Sequence, residues 1–138
     1  METKNSCYTY FKIVGNFDPD DVTKALKLTP ESSCRIGDRR RDGGEYGFAL
    51  WTVGKCTEYS AHVEDQMRKT VSVLADKIPE LNRIREGSDV SFFLEVVPSV
   101  YVNDVAPCLA PPLDVIDFLH ATRTEMDIDL YVYGEEEE

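Results

Sequence analysis

A chain of 138 residues, 42% hydrophobic and 30% charged, has the size and composition of one folded domain that can bury a core without disulfides or metals. Its formal charge of −11 argues against broad nucleic-acid binding, which needs a basic face. A mean hydropathy of −0.34, with no run near the roughly eighteen apolar residues of a span, argues against a membrane protein.

Cys7 to Val14 is aromatic and β-branched and predicts a first strand. A complete helix start follows: Asp18 as N-cap, Pro19 in the first turn, Asp20 and Asp21 where the helix dipole favours acid, and Phe17 and Val22 as a hydrophobic staple. Val22, Ala25 and Leu26 give this helix its apolar side, and Thr29-Pro30 is expected to stop it. Ser33 to Arg41 and Tyr46 to Val53 predict two strands around an Asp42-Gly43-Gly44 turn, with the arginines climbing one arm and Trp51 on the other. Tyr59, Val63, Met67, Val71, Leu74 and Ile78 form one apolar stripe and predict a helix over 58–78, ended or bent by Pro79. Leu81 and Ile84 extend it by a short turn. Val90 to Val97 reads as a central strand, residues 98–112 as a Pro-rich loop, and Leu113 to Ala121 as a short helix. Met126 to Tyr133 alternates: Met126, Ile128, Leu130 and Val132 on one face, Asp127, Asp129, Tyr131 and Tyr133 on the other. The order β-α-β-β-α-β-α-β predicts an α+β fold, one mostly antiparallel sheet of about five strands with two to three helices on one face. One domain is expected over residues 1–134, with an acidic disordered tail over 135–138.

The basic run Arg35, Arg39, Arg40 and Arg41 holds four of the fifteen Lys and Arg residues in an acidic chain, so it must be neutralised within the protein or by an anion. Forked guanidinium groups suit phosphate or carboxylate, and Trp51 on the facing arm would serve as a stacking platform. Pairing to the protein's own acids is the commoner fate of such a run. Glu95, Asp127 and Asp129 can share a sheet face as an acid/base or hard-metal site requires, or can meet the arginine hairpin inside the fold. Acids on a half-buried strand are nonetheless routine. His62 and His120 sit in no metal or triad pattern, and Cys34 has a cationic neighbour but no visible base. Cys7, Cys34, Cys56 and Cys108 lie far apart without zinc spacing, and the first residues lead into no secretory apolar segment, so reduced thiols in the cytoplasm are expected.

The opening Tyr8-Thr9-Tyr10-Phe11-Lys12-Ile13, then Gly15-Asn16-Phe17-Asp18-Pro19, Leu28-Thr29-Pro30, Gly37-Asp38-Arg39, Trp51 and a long helix with His62 near its start resemble the bacterial family known as domain of unknown function 4279. The resemblance runs from about Tyr8 to Tyr133. It implies a bacterial, cytoplasmic, single-domain protein and carries over no catalytic residue.

These readings favour a non-enzymatic interaction module, an acidic domain similar in class to immunity proteins. Its interface would be Asp127, Asp129, Tyr131 and Tyr133, its partner a basic protein. The alternative is a small-molecule or anion binder, or an enzyme, using Arg35, Arg39, Arg40, Arg41 and Trp51. A homodimer through a sheet edge or face is a third expectation. No catalytic residue, metal, cofactor, nucleic acid or membrane is expected.

Overall fold

Alternation in the first strand sets the architecture. In a computed structural model describing residues 4–60 and 62–134, β1 (Ser6–Asn16) turns Cys7, Thr9, Phe11 and Ile13 into the core and leaves Tyr8, Tyr10, Lys12 and Val14 on the opposite face. It pairs antiparallel with β3 (Ala49–Cys56) and β4 (Asp89–Tyr101), and β3 pairs antiparallel with β2 (Ser32–Cys34). β5 (Glu125–Ile128) and β6 (Tyr131–Tyr133) follow one another along β4, parallel to it. The order β2-β3-β1-β4-β5 makes a mixed, mostly antiparallel sheet. Helices α1 (Pro19–Leu26), α2 (Val63–Ser72), α3 (Ile78–Gly87) and α4 (Leu113–Thr122) complete an α+β fold. Phe11, Trp51, Phe92, Met67, Leu74, Leu81 and Leu94 fill the space between layers. Each such buried side chain is worth about 1.5–3 kcal/mol of transfer free energy. The acidic tail expected over 135–138 lies outside the described residues.

Local chemistry accounts for each departure from the expected elements. Asp18 caps α1, its carboxylate accepting from the Asp20 N–H at 2.9 Å. The helix ends at Leu26, before Thr29-Pro30, because Lys27 turns left-handed at φ 55° and bonds back to the Thr23 carbonyl. Ala25 lies exposed rather than on the buried side.

The expected hairpin arms are shorter and better separated. Gly37 at φ 90° and the Asp38 carboxylate on the Arg35 N–H, 2.7 Å away, turn the chain out of the sheet after Cys34. Residues 35–48 form an excursion whose tip keeps the Asp42-Gly43-Gly44 turn and an Arg39–Glu45 bridge. The arginines therefore ride on a loop, not on a strand.

The long helix expected over 58–78 divides. Val73 and Leu74 bond back three residues, to Thr70 and Val71, and the chain leaves the helix at that tightened turn. Pro79 opens α3 rather than ending α2, since a first-turn proline lacks only an N–H that has no helical partner. The apolar stripe is correct nonetheless: Val63, Met67, Val71 and Leu74 are buried, and Tyr59 and Ile78 pack against them.

β4 also runs through Pro98 to Tyr101, where a loop was expected. Asp129 donates its N–H to the Val96 carbonyl and Val102 donates to Tyr133, which fixes the parallel bonding pattern. In that pattern residue 98 would donate to Asp129. Pro98 has no N–H, and the partner strand breaks at Asp129-Leu130 into β5 and β6.

Candidate functional site

The face of the sheet away from the helices gathers most of the chain's unusual side chains. Register places Tyr10 opposite Glu95, Glu95 opposite Asp127, Ser99 opposite Tyr131, and Tyr101 opposite Tyr133. Strand alternation puts Tyr8 on this face as well, so five of the seven tyrosines share it. Tyr8 stacks on Tyr10 at 6.0 Å and Tyr101 on Tyr133 at 5.1 Å between ring centroids. Lys55 lies over the Tyr8 ring and Lys12 over Phe93.

At the centre, Glu95 is only 3% exposed although no helix covers it. Tyr10, Lys12, Phe93 and Asp127 are its neighbours on the sheet, by register and strand alternation. Its carboxylate meets the Lys12 ammonium at 2.7 Å. Burial raises the Glu95 pKa, Lys12 opposes the rise, and the adjoining Asp127 carboxyl adds to it. Burial likewise pushes the Tyr10 phenol up to about 12, with Glu95, Tyr8, Asp127 and Asp129 contributing. Beside this pair a cleft of about 310 Å³ opens between Tyr8, Tyr10, Lys12, Glu31, Thr52 and Lys55.

The expected sharing of one face by Glu95, Asp127 and Asp129 holds, and the cation that meets Glu95 there is Lys12. They do not meet the arginine run. Arg35 instead reaches Asp18 at 2.6 Å and Asp20 at 2.5 Å, closing the loop onto the α1 N-terminus. Arg40 lies over the Tyr46 ring and 3.5 Å from Asp42. Arg39 and Arg41 are exposed and make no ion pair among the described residues. Trp51 does not flank them as a platform: it is 0% exposed, on the helix side, with Nε1 donating to the Thr23 hydroxyl at 3.0 Å. The clefts beside Tyr8, Phe17, Leu28 and Arg68 contain none of the four arginines.

The other candidates carry little chemistry. His62 and His120 are exposed. Burial and Asp38 raise the Cys34 thiol, so the arginine neighbour does not activate it. All four cysteines are free. Among the described residues no group of three His, Cys, Asp or Glu is arranged to hold a metal, and no helix is long and apolar enough to cross a membrane.

The expected alternation along 126–133 is present, divided between β5 and β6. Asp127, Asp129, Tyr131 and Tyr133 are exposed on the open face, and the Tyr131 hydroxyl donates to Asp129 at 3.1 Å. Their apolar counterparts take the opposite face and differ in how far they are covered. Met126 packs on the core, but Ile128, Leu130 and Val132 are 42%, 51% and 62% exposed. The alternation told which face these residues take; nothing local in the sequence told that the helix layer stops short of them. Tyr8, Tyr10, Lys12 and Tyr101 were missed as site residues, because only strand order brings them beside Glu95 and Tyr133.

A family model described as "Domain of unknown function (DUF4279)" matches residues 5–133. No curated protein matches the chain, and no solved structure does.

Proposed function

Because the chain belongs to the DUF4279 family, whose description assigns no activity, we propose a function from its own surface: a non-enzymatic interaction module that binds a basic protein. The interface is the open sheet face around Asp127, Asp129, Tyr131 and Tyr133. The observation carrying this reading is the gathering of five tyrosines and exposed carboxylates on one face of an acidic chain. Tyrosines pack and hydrogen-bond at once, and interfaces are enriched in them. Carboxylates at the rim steer a cationic partner and set orientation more than affinity. The cleft beside Lys12 admits one anchoring side chain. Such a protein acts in the bacterial cytoplasm in the manner of an immunity protein.

The test is isolation of partners at low salt with the wild type and with Asp127→Lys/Asp129→Lys, followed by titration of the purified pair. A basic partner should bind the wild type, lose at least about tenfold in affinity to the double variant, and weaken as salt approaches the concentration at which the Debye length is about 8 Å. A purified complex indifferent to both changes removes this face from the function.

A second reading keeps the loop as an anion site, on the single ground that Arg39 and Arg41 are exposed without ion pairs. Phosphates, nucleotides and carboxylates at a hundred times their Kd should then stabilise the wild type by about 2.7 kcal/mol. Arg39→Ala/Arg41→Ala should lose that shift.

A further inference from the structure

We infer that the partner docks by adding a strand to the outer edge of β5 and β6, through an extended segment in which basic and apolar residues alternate. This rests on the interaction reading above and names its geometry. Asp129 N–H and Tyr133 C=O are both turned inward to β4, so the odd-numbered residues of this strand bond to β4. Backbone groups alternate direction along a strand. Ile128, Leu130 and Val132 therefore turn their N–H and C=O groups outward, where no described strand pairs with them. A strand added there bonds to these three residues.

Side chains on that edge specify what the added strand must carry. Directly paired residues of neighbouring strands share a face. Partner residues opposite Ile128, Leu130 and Val132 thus fall on the helix side and cover a row that is 42–62% exposed. Partner residues opposite Asp127, Asp129 and Tyr131 fall on the open face, against two carboxylates and a phenol. Apolar residues suit the first set and Lys or Arg the second. A second copy of the chain suits less well. It brings −11 against −11, and a two-fold pairing centred on the strand sets acids close to acids.

The test uses the whole chain and a soluble peptide of about nine residues alternating Lys with Val or Thr, long enough to span the edge. A peptide of the same composition in blocks is the control. Two further versions are N-methylated on alternate residues, one on the edge-facing amides and one on the outward-facing amides. The alternating peptide should bind at least about tenfold more tightly than the block peptide. It should slow hydrogen exchange at the Ile128, Leu130 and Val132 amides. It should lose at least about tenfold on edge-side methylation and little on the other.

Binding that fails in Asp127→Lys/Asp129→Lys but ignores both backbone methylation and residue order overturns strand addition and leaves the charged-face reading standing. Binding of neither peptide, or binding indifferent to the charge reversals, counts against both. Protection of the three amides without peptide, together with a dimer in sedimentation, gives the edge to a second copy and overturns the inference.

Discussion

Glu95 is a carboxylate kept from water on a face that no helix covers, and its neighbours decide its cost. A buried ion pair gains little net stability, but losing one partner leaves an unpaired buried charge and costs about 3–5 kcal/mol. Lys12 is 25% exposed, so Lys12→Met should fall at or below the low end of that range at pH 7, and by urea unfolding should shrink at pH 4, on the acid side of the raised Glu95 pKa. Glu95 also links stability to pH. Its folded pKa is raised above the ordinary 4.5, so the folded chain holds the proton to higher pH than the unfolded chain. The associated stability is full below about 4.5 and is lost as pH rises through the raised value. Asp127 is one cause of the rise, so Asp127→Asn should narrow the window. Removing a like charge directly opposite is worth about 0.2–1 kcal/mol, or roughly 1–4 °C of Tm in a domain of this size. Thermal melts across the acidic-to-neutral range should show Asp127→Asn matching the wild type at low pH and exceeding it at pH 7. Equal melts at both ends would mean that Asp127 does not feel Glu95. Alternation put Glu95 and Asp127 on one face in the sequence. That Glu95 would be buried there was hidden, because apart from Phe93 its cover comes from β1 and β5, which lie far away in the chain.

At the scale of elements, legibility follows the range of the determining interactions. The start of α1 could be read directly because its cap and first-turn proline are local, whereas its left-handed end at Lys27 and the exposure of Ala25 were not read. The division of α2 from α3 could not, since a continuous apolar stripe is compatible with a straight helix or with two helices packing on one sheet. β4 was cut short at Pro98 because proline usually ends strands, a rule that holds only where its nitrogen faces a partner requiring a donor. Here the gap is tolerated between two short strands, and its removal is testable. Pro98→Val restores an N–H opposite the Asp129 carbonyl, a bond worth about 0.5–1.5 kcal/mol net. Against this, the unfolded chain regains freedom worth about 0.4–1 kcal/mol. Overall stability should therefore hardly change, while β5 and β6 fuse. In this variant the residue 98 amide should exchange slowly and the Asp129, Tyr131 and Tyr133 amides more slowly than in wild type, with Tm within a few degrees of wild type. Fast exchange at residue 98 would show that the break has another origin. At the other end of the sheet, Asp18→Ala should lower Tm by removing both the α1 cap and a partner of Arg35. Asp18 has a lowered pKa, chiefly through the Asp20 N–H and then Arg35, so its contribution is present above 3.8 and lost as pH falls through its folded value. The Asp18→Ala deficit should accordingly shrink in acid, as melts at pH 7 and near pH 2.5 would show.

For the whole molecule the governing quantity is the imbalance of 26 acids over 15 Lys and Arg residues. Several cations are already spoken for: Arg35 by Asp18 and Asp20, Arg68 by Asp65 and Asp114, Lys69 by Glu58, Arg83 by Glu80. Exposed pairs of this kind are each worth about 0–1 kcal/mol, and salt weakens them. Salt also weakens repulsion among the unpaired acids, and with this excess repulsion should prevail, so moderate salt should raise Tm. Glu135 to Glu138 supply a distinct share, and their removal takes the formal charge from −11 to −7. The self-repulsion of a compact charge grows with its square, so truncation after Gly134 should cut the salt-dependent rise in Tm by up to about 60%. An unchanged salt slope would place those four charges beyond the Debye length of about 8–10 Å from the body. The same truncation separates steering from docking. If the β5–β6 edge binds a cationic segment, the missing tail charges should slow association at low salt and leave dissociation nearly as it was, since steering acts on encounter while the edge and its apolar row hold the complex. Faster dissociation in the truncated chain would instead make the tail part of the bound interface.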